Sequence, residues 1–289
     1  MHLPDFQYLA PKDPAELAAM LAEHGDAARI LSGGTDLLVQ MKSPGLRPDY
    51  LIDITGLEEL SNIKFDDGAG LVIGGAAKLE AVMDTPVVKE KYHGLWQSIE
   101  TIGARQIRTM GSLGGNLCNA SPAADTPPAL VAFGAEVTIG NAEGDRSILL
   151  EDFILGNRQT ALATGEYLKT ITLPAPPENS ASAYHHFRVR GGMEIAMAAV
   201  AVYLELDAKA QTISDAKIVL GVVGPAPIRA TGAEQMLIGQ KPDEALLQKA
   251  AQSCADQSRP IDDYRASAEY RREILKVLFE RAFDDAFTN

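Results

Sequence analysis

The sequence predicts an α+β protein built from more than one domain. Residues 6–54 alternate strand and helix patterns, which is typical of a small α/β unit. Residues 56–174 combine short strands that meet at turns with several short helical patterns. After the proline-rich stretch 174–182, strand patterns precede helix patterns, the order expected for a sheet covered on one face by helices. The 289 residues suffice for two domains.

The first unit contains the best-marked helix, at 14–24. Asp13 is a suitable N-cap, Pro14 occupies the first helical position and Gly25 ends the pattern. Leu17 and Leu21 fall on one face, which predicts an amphipathic helix. The unit also contains predicted strands at 6–9, 28–31 and 50–54 and a helical turn at 36–42.

The remaining elements are predicted from the same signals of apolar periodicity and turn residues. The predicted strands lie at 61–65 and 71–75, around an Asp/Gly turn at 66–70, and at 136–139, 146–149, 167–173, 183–189, 195–206 and 213–221. The predicted helices lie at 79–84, 94–103, 126–133, 231–238, 243–255 and 267–286. Residues 174–182 are predicted to be a linker.

Charge and composition exclude several classes of function. The net charge of −13 argues against a nucleic-acid binder or a protein of anionic membrane surfaces. Cys118 and Cys254 form no disulfide or metal-binding pattern, which favours a reducing cytoplasm. The N-terminal residues carry no secretory signal pattern, and no apolar stretch is long enough to span a bilayer.

Common catalytic motifs are absent from the sequence. It contains no G-x-G-x-x-G dinucleotide fingerprint, no P-loop and no G-x-S-x-G nucleophile elbow. None of the five histidines has zinc-like spacing to a cysteine. These absences predict no metal ligand in this chain, and the sequence offers no catalytic triad or carboxylate pair.

Two segments with paired glycines are the main candidates for ligand binding. Gly33-Gly34 and Gly114-Gly115 lie about 80 residues apart, and each pair has a hydroxyl residue nearby. Glycine permits a positive φ and a close approach of backbone to ligand, and successive N–H groups can cradle an anion. We expect the segment 112–122 to be a loop rather than a helix. Paired glycines can also merely mark turns, but together they predict one phosphate-bearing ligand held between two loops.

Two longer stretches resemble a known family. The segment TIGARQIRTMGSLGGN (101–116) resembles the flavin loop of the FAD-binding medium subunit of molybdenum hydroxylases, the relatives of carbon monoxide and xanthine dehydrogenases. The segment SGGTDLLVQMK (32–42) resembles the first flavin loop of that family. The order, spacing and chain length also match, so the resemblance extends over nearly the whole chain.

The resemblance implies a fold and a domain division. Residues 1–177 would form an FAD-binding domain of the vanillyl-alcohol-oxidase (PCMH) type, made of two parts at 1–55 and 56–177. Residues 178–289 would form a C-terminal α+β domain of the carbon monoxide dehydrogenase flavoprotein type. FAD would lie extended between the two N-terminal parts, with its pyrophosphate on the glycine segments.

The family's cofactor contacts map onto particular residues here. Asp125, for which the sequence alone leaves an N-cap role equally open, would bind a polar part of FAD. The positions that the resemblance assigns to FAD are Ile30, Leu31, Ser32, Gly33, Gly34, Thr35, Asp36, Leu37, Ile102, Ser112, Leu113, Gly114, Gly115, Asn116, Asp125, Leu168 and Arg188.

The resemblance also implies a function and partners. FAD on this chain would collect electrons from a small 2Fe–2S subunit, served by a large molybdenum-cofactor subunit, and pass them to an acceptor such as NAD or a quinone. A dimer of heterotrimers is the family expectation.

Two alternatives remain open at this point. One is a stand-alone flavin oxidase or reductase, for which Tyr184, His185 and His186 are the only acid–base cluster the sequence offers. The other is a non-enzymatic nucleotide-binding or assembly protein that does not bind the flavin.

Overall fold

The described chain is a mixed α and β protein with four sheets. The computed structural model describes residues 2–43, 45–207 and 212–288. Within these ranges the sheets have the orders β1-β3-β2, β4-β5-β10-β6-β7, β8-β9 and β11-β12-β13-β14, with elements numbered along the chain. The predicted α+β fold class is confirmed.

The first sheet is small and parallel. Its elements are β1 (Gln7–Leu9), α1 (Pro14–His24), β2 (Ala28–Leu31), α2 (Leu37–Met41) and β3 (Tyr50–Asp53). Helix α1 has the predicted bounds, because Asp13 accepts a hydrogen bond from the Glu16 N–H and Gly25 adopts a φ of 49° at the C-terminal end. Leu17 and Leu21 are buried in the core beneath this sheet. Strands β1 and β2 both pair in parallel with β3.

The second sheet is five-stranded and antiparallel, and short helices surround it. The strands of this sheet are β4 (Ile63–Asp66), β5 (Gly70–Gly74), β6 (Glu136–Asn141), β7 (Gly144–Leu149) and β10 (Tyr167–Leu173). The helices of this part of the chain are α3 (Glu58–Ser61), α4 (Leu79–Asp84), α5 (Pro86–Lys91), α6 (His93–Glu100), α7 (Arg105–Arg108), α8 (Leu113–Asn119), α9 (Thr126–Ala132) and α10 (Leu150–Phe153). Strands β8 (Ile154–Gly156) and β9 (Gln159–Thr160) form a separate two-stranded sheet. Every neighbouring pair of strands is antiparallel. Tyr92, Leu95, Ile99 and Phe153 are fully buried in its core.

Helix α8 replaces part of a predicted loop. Ser112 caps it by accepting a hydrogen bond from the Gly115 N–H at 3.1 Å. Leu113 and Leu117 are both fully buried one turn apart. A good cap and two apolar anchors therefore outweigh the low helix propensity of Gly114 and Gly115.

The last four-stranded sheet begins earlier than predicted. Its elements are β11 (Ser180–Phe187), β12 (Ala198–Asp207), β13 (Thr212–Gly221), β14 (Ile228–Arg229), α11 (Thr231–Leu237), α12 (Glu244–Gln257) and α13 (Ala268–Thr288). Residues 180–182, predicted to belong to the linker, pair with β12 instead. The Gly94 N–H donates to the buried Oγ of Ser182 at 3.0 Å, which fixes this end of the strand against α6.

Both faces of this last sheet are covered, although the sequence pattern predicts one. Val200 and Val202 face the core formed with α11, α12 and α13. Ala201 and Tyr203 face the core of the preceding antiparallel sheet and its helices. Because alternate residues of a strand point to opposite faces, β12 is buried on both sides from 198 to 204. Its unbroken apolar run was the signal for this arrangement.

Candidate functional site

The first glycine segment connects β2 to α2 at the carboxyl end of a parallel strand. Gly34 has a φ of +69°, a conformation that favours glycine. The backbone N–H groups of residues 32–36 donate to no acceptor within the described ranges. The Oγ of Ser32 is buried and has no hydrogen-bond partner among the described residues. Residues 32–35 are half-buried and Asp36 is exposed, so their free N–H groups are accessible to an anion, and a ligand would supply the acceptor that the buried Ser32 hydroxyl lacks.

The second glycine segment is built differently, as the first turn of α8. The Leu113 N–H donates to the Ala77 carbonyl at 3.0 Å, and the Gly114 N–H donates to the Gly75 carbonyl at 3.1 Å. The Asn116 N–H bonds to the carbonyl of Ser112, the residue that also caps Gly115. The expectation of free N–H groups on this segment is therefore wrong, because capping and neighbouring backbone already use them.

The glycines of this segment instead permit close backbone packing. A Cβ on Gly114 would lie 2.3 Å from the carbonyl oxygen of Gly75. A Cβ on Gly75 would lie equally close, at 2.3 Å, to the carbonyl oxygen of Leu168. Leu168, which is 6% exposed, is thus placed directly behind the segment. Gly75 was missed by the sequence reasoning, although the pair Gly74-Gly75 repeats the signal used for the other two pairs.

The two segments are in contact. A Cβ on Gly33 would lie 2.1 Å from the Met110 carbonyl oxygen and 2.6 Å from the Cα of Gly111. The Asn119 side chain donates to Oδ1 of Asp36 at 3.1 Å. The structure therefore brings together backbone that is widely separated along the chain.

Asp125 lies beside the second segment and takes a role other than helix capping. It precedes α9, yet its side chain accepts no capping hydrogen bond. It accepts one instead from the Tyr184 hydroxyl at 2.7 Å. Thr126 donates to Oδ1 of Asn116 at 2.6 Å, which ties this turn to α8.

The electrostatics of Asp125 are dominated by its burial. Burial raises the pKa of the Asp125 carboxyl to about 6, while the Tyr184 hydrogen bond and the Arg188 charge act in the opposite direction. The pKa of Tyr184 is also raised by burial, so its hydroxyl stays protonated and donates. Asp125 and Tyr184 thus form a buried polar pair beside Arg188.

Arg188 is bonded to the turn that carries Ile102, close to Asp125. The Arg188 guanidinium donates to the Thr101 carbonyl at 3.0 Å. Ile102 follows directly and packs at the edge of the main core. The structure thus places Arg188, on the chain after β11, next to the turn that carries Ile102.

The three residues considered as an acid–base cluster do not lie together. Tyr184 and His186 stack on one face of β11 with ring centroids 5.9 Å apart. His185 points to the opposite face, where its Nε2 lies 2.6 Å from an Asp285 carboxylate oxygen. The alternation of side chains along a strand explains the separation.

The described ranges contain neither a metal-binding cluster nor a membrane-spanning helix. No group of three or more His, Cys, Asp or Glu side chains there has the geometry to hold a metal ion. No helix among the described residues is both long and apolar enough to span a membrane.

Known proteins resemble the chain along its length. Residues 4–176 match the family described as FAD binding domain in molybdopterin dehydrogenase. Residues 182–286 match the CO dehydrogenase flavoprotein C-terminal domain.

Two curated relatives and a solved structure illustrate the similarity. The glyceraldehyde dehydrogenase medium chain of Sulfolobus acidocaldarius is 34% identical, with 99% of each chain covered. The carbon monoxide dehydrogenase medium chain of Afipia carboxidovorans is 32% identical, with 97% of this chain and 96% of that chain covered. The structure of carbon monoxide dehydrogenase from Hydrogenophaga pseudoflava superposes with a TM-score of 0.95 at 30% identity, covering 100% of this chain and 99% of that chain.

The fold, the paired glycine segments and these similarities define a flavoprotein of the molybdenum hydroxylase class. The chain belongs to the family of FAD-binding domains of molybdopterin dehydrogenases and also carries the flavoprotein C-terminal domain. It is an oxidoreductase subunit, and its cofactor is FAD. The residues present fit that cofactor, since the first glycine segment has free N–H groups and the Ser32 hydroxyl lacks a partner.

Proposed function

We propose that this chain is the electron-transfer subunit of a molybdenum hydroxylase complex. It takes electrons from an iron–sulfur subunit through FAD and passes them to an external acceptor. The observation that carries the proposal is the contact between the two glycine segments, in a chain whose sequence and fold are those of the medium subunits. Bound FAD supplies a redox centre that accepts electrons singly and releases them in pairs.

The two glycine segments divide the work of holding the cofactor. The free N–H groups of residues 32–36 and the Ser32 hydroxyl are suited to the pyrophosphate. The first turn of α8 supplies a close-packed wall and the exposed Gly115. The proposed FAD contacts are Ile30, Leu31, Ser32, Gly33, Gly34, Thr35, Asp36, Leu37, Ile102, Ser112, Leu113, Gly114, Gly115, Asn116, Asp125, Leu168 and Arg188.

Three of these residues orient and enclose the rest of the cofactor. Ile102, at the edge of the core, provides an apolar contact to the flavin ring. Asp125, held by Tyr184, accepts a hydrogen bond from a polar group of FAD. Arg188, which is bonded to the turn before Ile102, places a positive charge near the cofactor. This charge stabilises the negative charge that the cofactor gains on reduction. None of these steps requires a nucleophile or a general base from this chain.

The proposed partners follow from the family. A large subunit with the molybdenum cofactor oxidises the organic substrate, and a small 2Fe–2S subunit delivers electrons to this chain. The final acceptor is NAD, a quinone or a similar carrier, and the assembly is a dimer of heterotrimers.

We also place the complex in the cytoplasm, which the free cysteines Cys118 and Cys254 support. The domain division at 55/56 and 177/178 remains part of this proposal.

Purification of the complex from its native source tests the function. We expect this chain to copurify with two other subunits and to contribute a flavin absorbance band near roughly 450 nm. Substrate should bleach this band only when the iron–sulfur subunit is present. A chain that purifies alone, or whose flavin is reduced directly by an organic substrate, would contradict the proposal.

A further inference from the structure

The turn after α6 is held by arginines from outside the helix. Its last carbonyls would otherwise lack partners, as at any helix end. The guanidinium of Arg108 donates through Nη1 to the carbonyls of Glu100 and Ile102, at 3.1 and 3.3 Å. Arg188 donates to the Thr101 carbonyl between them. Three consecutive carbonyls are therefore fixed by two side chains.

Arg108 is itself oriented by a buried carboxylate. Its Nε donates to Oε2 of Glu80 at 2.9 Å, and Glu80 is only 7% exposed. Arg105 pairs with the other oxygen of Glu80 at 2.8 Å. The side chain of Arg105 is 74% exposed, whereas that of Arg108 is 12% exposed. The two arginines share one acceptor, but only Arg108 also reaches the turn.

Helix α4, which carries Glu80, is also bonded to the backbone where the two glycine segments meet. The Leu79 N–H donates to the Gly111 carbonyl at 2.9 Å, one residue before Glu80. Gly111 is the residue whose Cα lies against Gly33. The pair Glu80–Arg108 therefore connects the glycine contact to the turn that carries Ile102.

We propose that Arg108, oriented by Glu80, is a positioning residue for FAD. It sets the place of the Ile102 turn relative to the Gly33–Gly111 contact, and so the place of the flavin ring relative to the pyrophosphate. This inference rests on the proposed function, which assigns Ile102 to the ring and the glycines to the pyrophosphate. A planar guanidinium donates in several fixed directions at once, which a lysine ammonium cannot reproduce.

A comparison of FAD with ADP tests the inference, because ADP carries the pyrophosphate but no flavin ring. The full-length protein is stripped of FAD, and dissociation constants for both nucleotides are measured for wild type, Arg108→Lys and Arg105→Lys. We expect Arg108→Lys to bind FAD at least about tenfold more weakly while ADP binding changes less than about twofold. The visible circular dichroism of the bound flavin should change as well. Arg105→Lys, the matched control, should leave all three readouts unchanged.

Several results would overturn this inference. Equal weakening of FAD and ADP in Arg108→Lys, or unchanged FAD binding, would show that Arg108 does not position the ring. If Arg108→Lys fails to fold, Glu80→Gln provides the second variant with the same expectation. Loss of the folded apoprotein in both variants would assign the pair to stability alone. A wild-type chain that binds no FAD would refute the proposed function, whereas FAD binding with an unaltered FAD-to-ADP ratio would refute only the role of Arg108.

Discussion

At the scale of single residues, Asp125 shows how burial determines chemistry. The sequence left two roles open for this carboxylate, capping of α9 or a polar contact with a ligand. The side chain bonds to Tyr184 and caps nothing, which excludes the first role. No sequence pattern could identify Tyr184 as its partner, because Asp125 precedes α9 and Tyr184 lies in β11, and the two meet only in the folded chain.

The raised pKa of Asp125 predicts a pH dependence of stability. Its folded pKa of about 6 lies above the usual value of 3.8, so the folded state binds the proton more tightly. The contribution of Asp125 to the free energy of unfolding is therefore fully present below about pH 4 and is lost as the pH rises from about 4 to about 6. Asp125→Asn keeps an acceptor for Tyr184 but cannot ionise, so it avoids the cost of burying a charged carboxylate. The difference in free energy of unfolding between this variant and wild type should therefore grow in the variant's favour across that window, up to roughly 3 kcal/mol. Urea unfolding of both apoproteins between pH 4.5 and 7 measures it, and a constant difference would contradict the prediction.

The first glycine segment was readable from sequence, and the reason is local. Leu31 ends a predicted strand, Gly33 and Gly34 form the loop, and Asp36 begins the predicted helical turn 36–42, so the strand–loop–helix order follows from neighbouring residues alone. The free N–H groups of that loop agree with an anion-binding role. That these residues bind FAD stays a prediction.

At the scale of elements, α8 shows where sequence reasoning failed. Two adjacent glycines suggested a loop, but Ser112 and the buried pair Leu113 and Leu117 form a helix. In contrast, α1 was predicted with its observed bounds, because Asp13, Pro14 and Gly25 give start and stop signals unopposed by other residues. The sequence is ambiguous where a cap and a helix breaker lie within one turn.

The cap of α8 can be tested directly. Ser112→Ala removes the acceptor of the Gly115 N–H, and we expect a loss of about 1 kcal/mol in the free energy of unfolding. Because Gly115 is a proposed FAD contact, FAD affinity should fall as well. Ser214→Ala, at an exposed position of β13, is the control and should change neither quantity. Denaturant unfolding and FAD titration give the two numbers, and a stable variant with normal affinity would refute the role of the cap.

At the scale of the whole molecule, the sheet β11-β12-β13-β14 joins the two halves of the chain. One face belongs to the core with α13 and the other to the core with α6 and α9. Predicting one covered face was wrong because local patterns show which residues are apolar but not which distant helices cover them. The long apolar run of β12 was the available signal.

The shared sheet predicts cooperative unfolding. Separating the halves would expose the face that contains Ala201, Tyr203 and Val219, so neither half should remain folded after the other unfolds. Scanning calorimetry of the FAD-free full chain should therefore show one transition, with equal calorimetric and van't Hoff enthalpies. Two separated transitions would show that the halves unfold independently.

The bonds of Tyr184 to Asp125 and of Arg188 to Thr101 also have a consequence for biosynthesis. A nascent polypeptide that has emerged from the ribosome only as far as β10 lacks both bonds, although it already contains both glycine segments. With the FAD contacts proposed above for Asp125 and Arg188, we expect loading of the cofactor to be completed late in translation, after β11 has been released and has paired with β12.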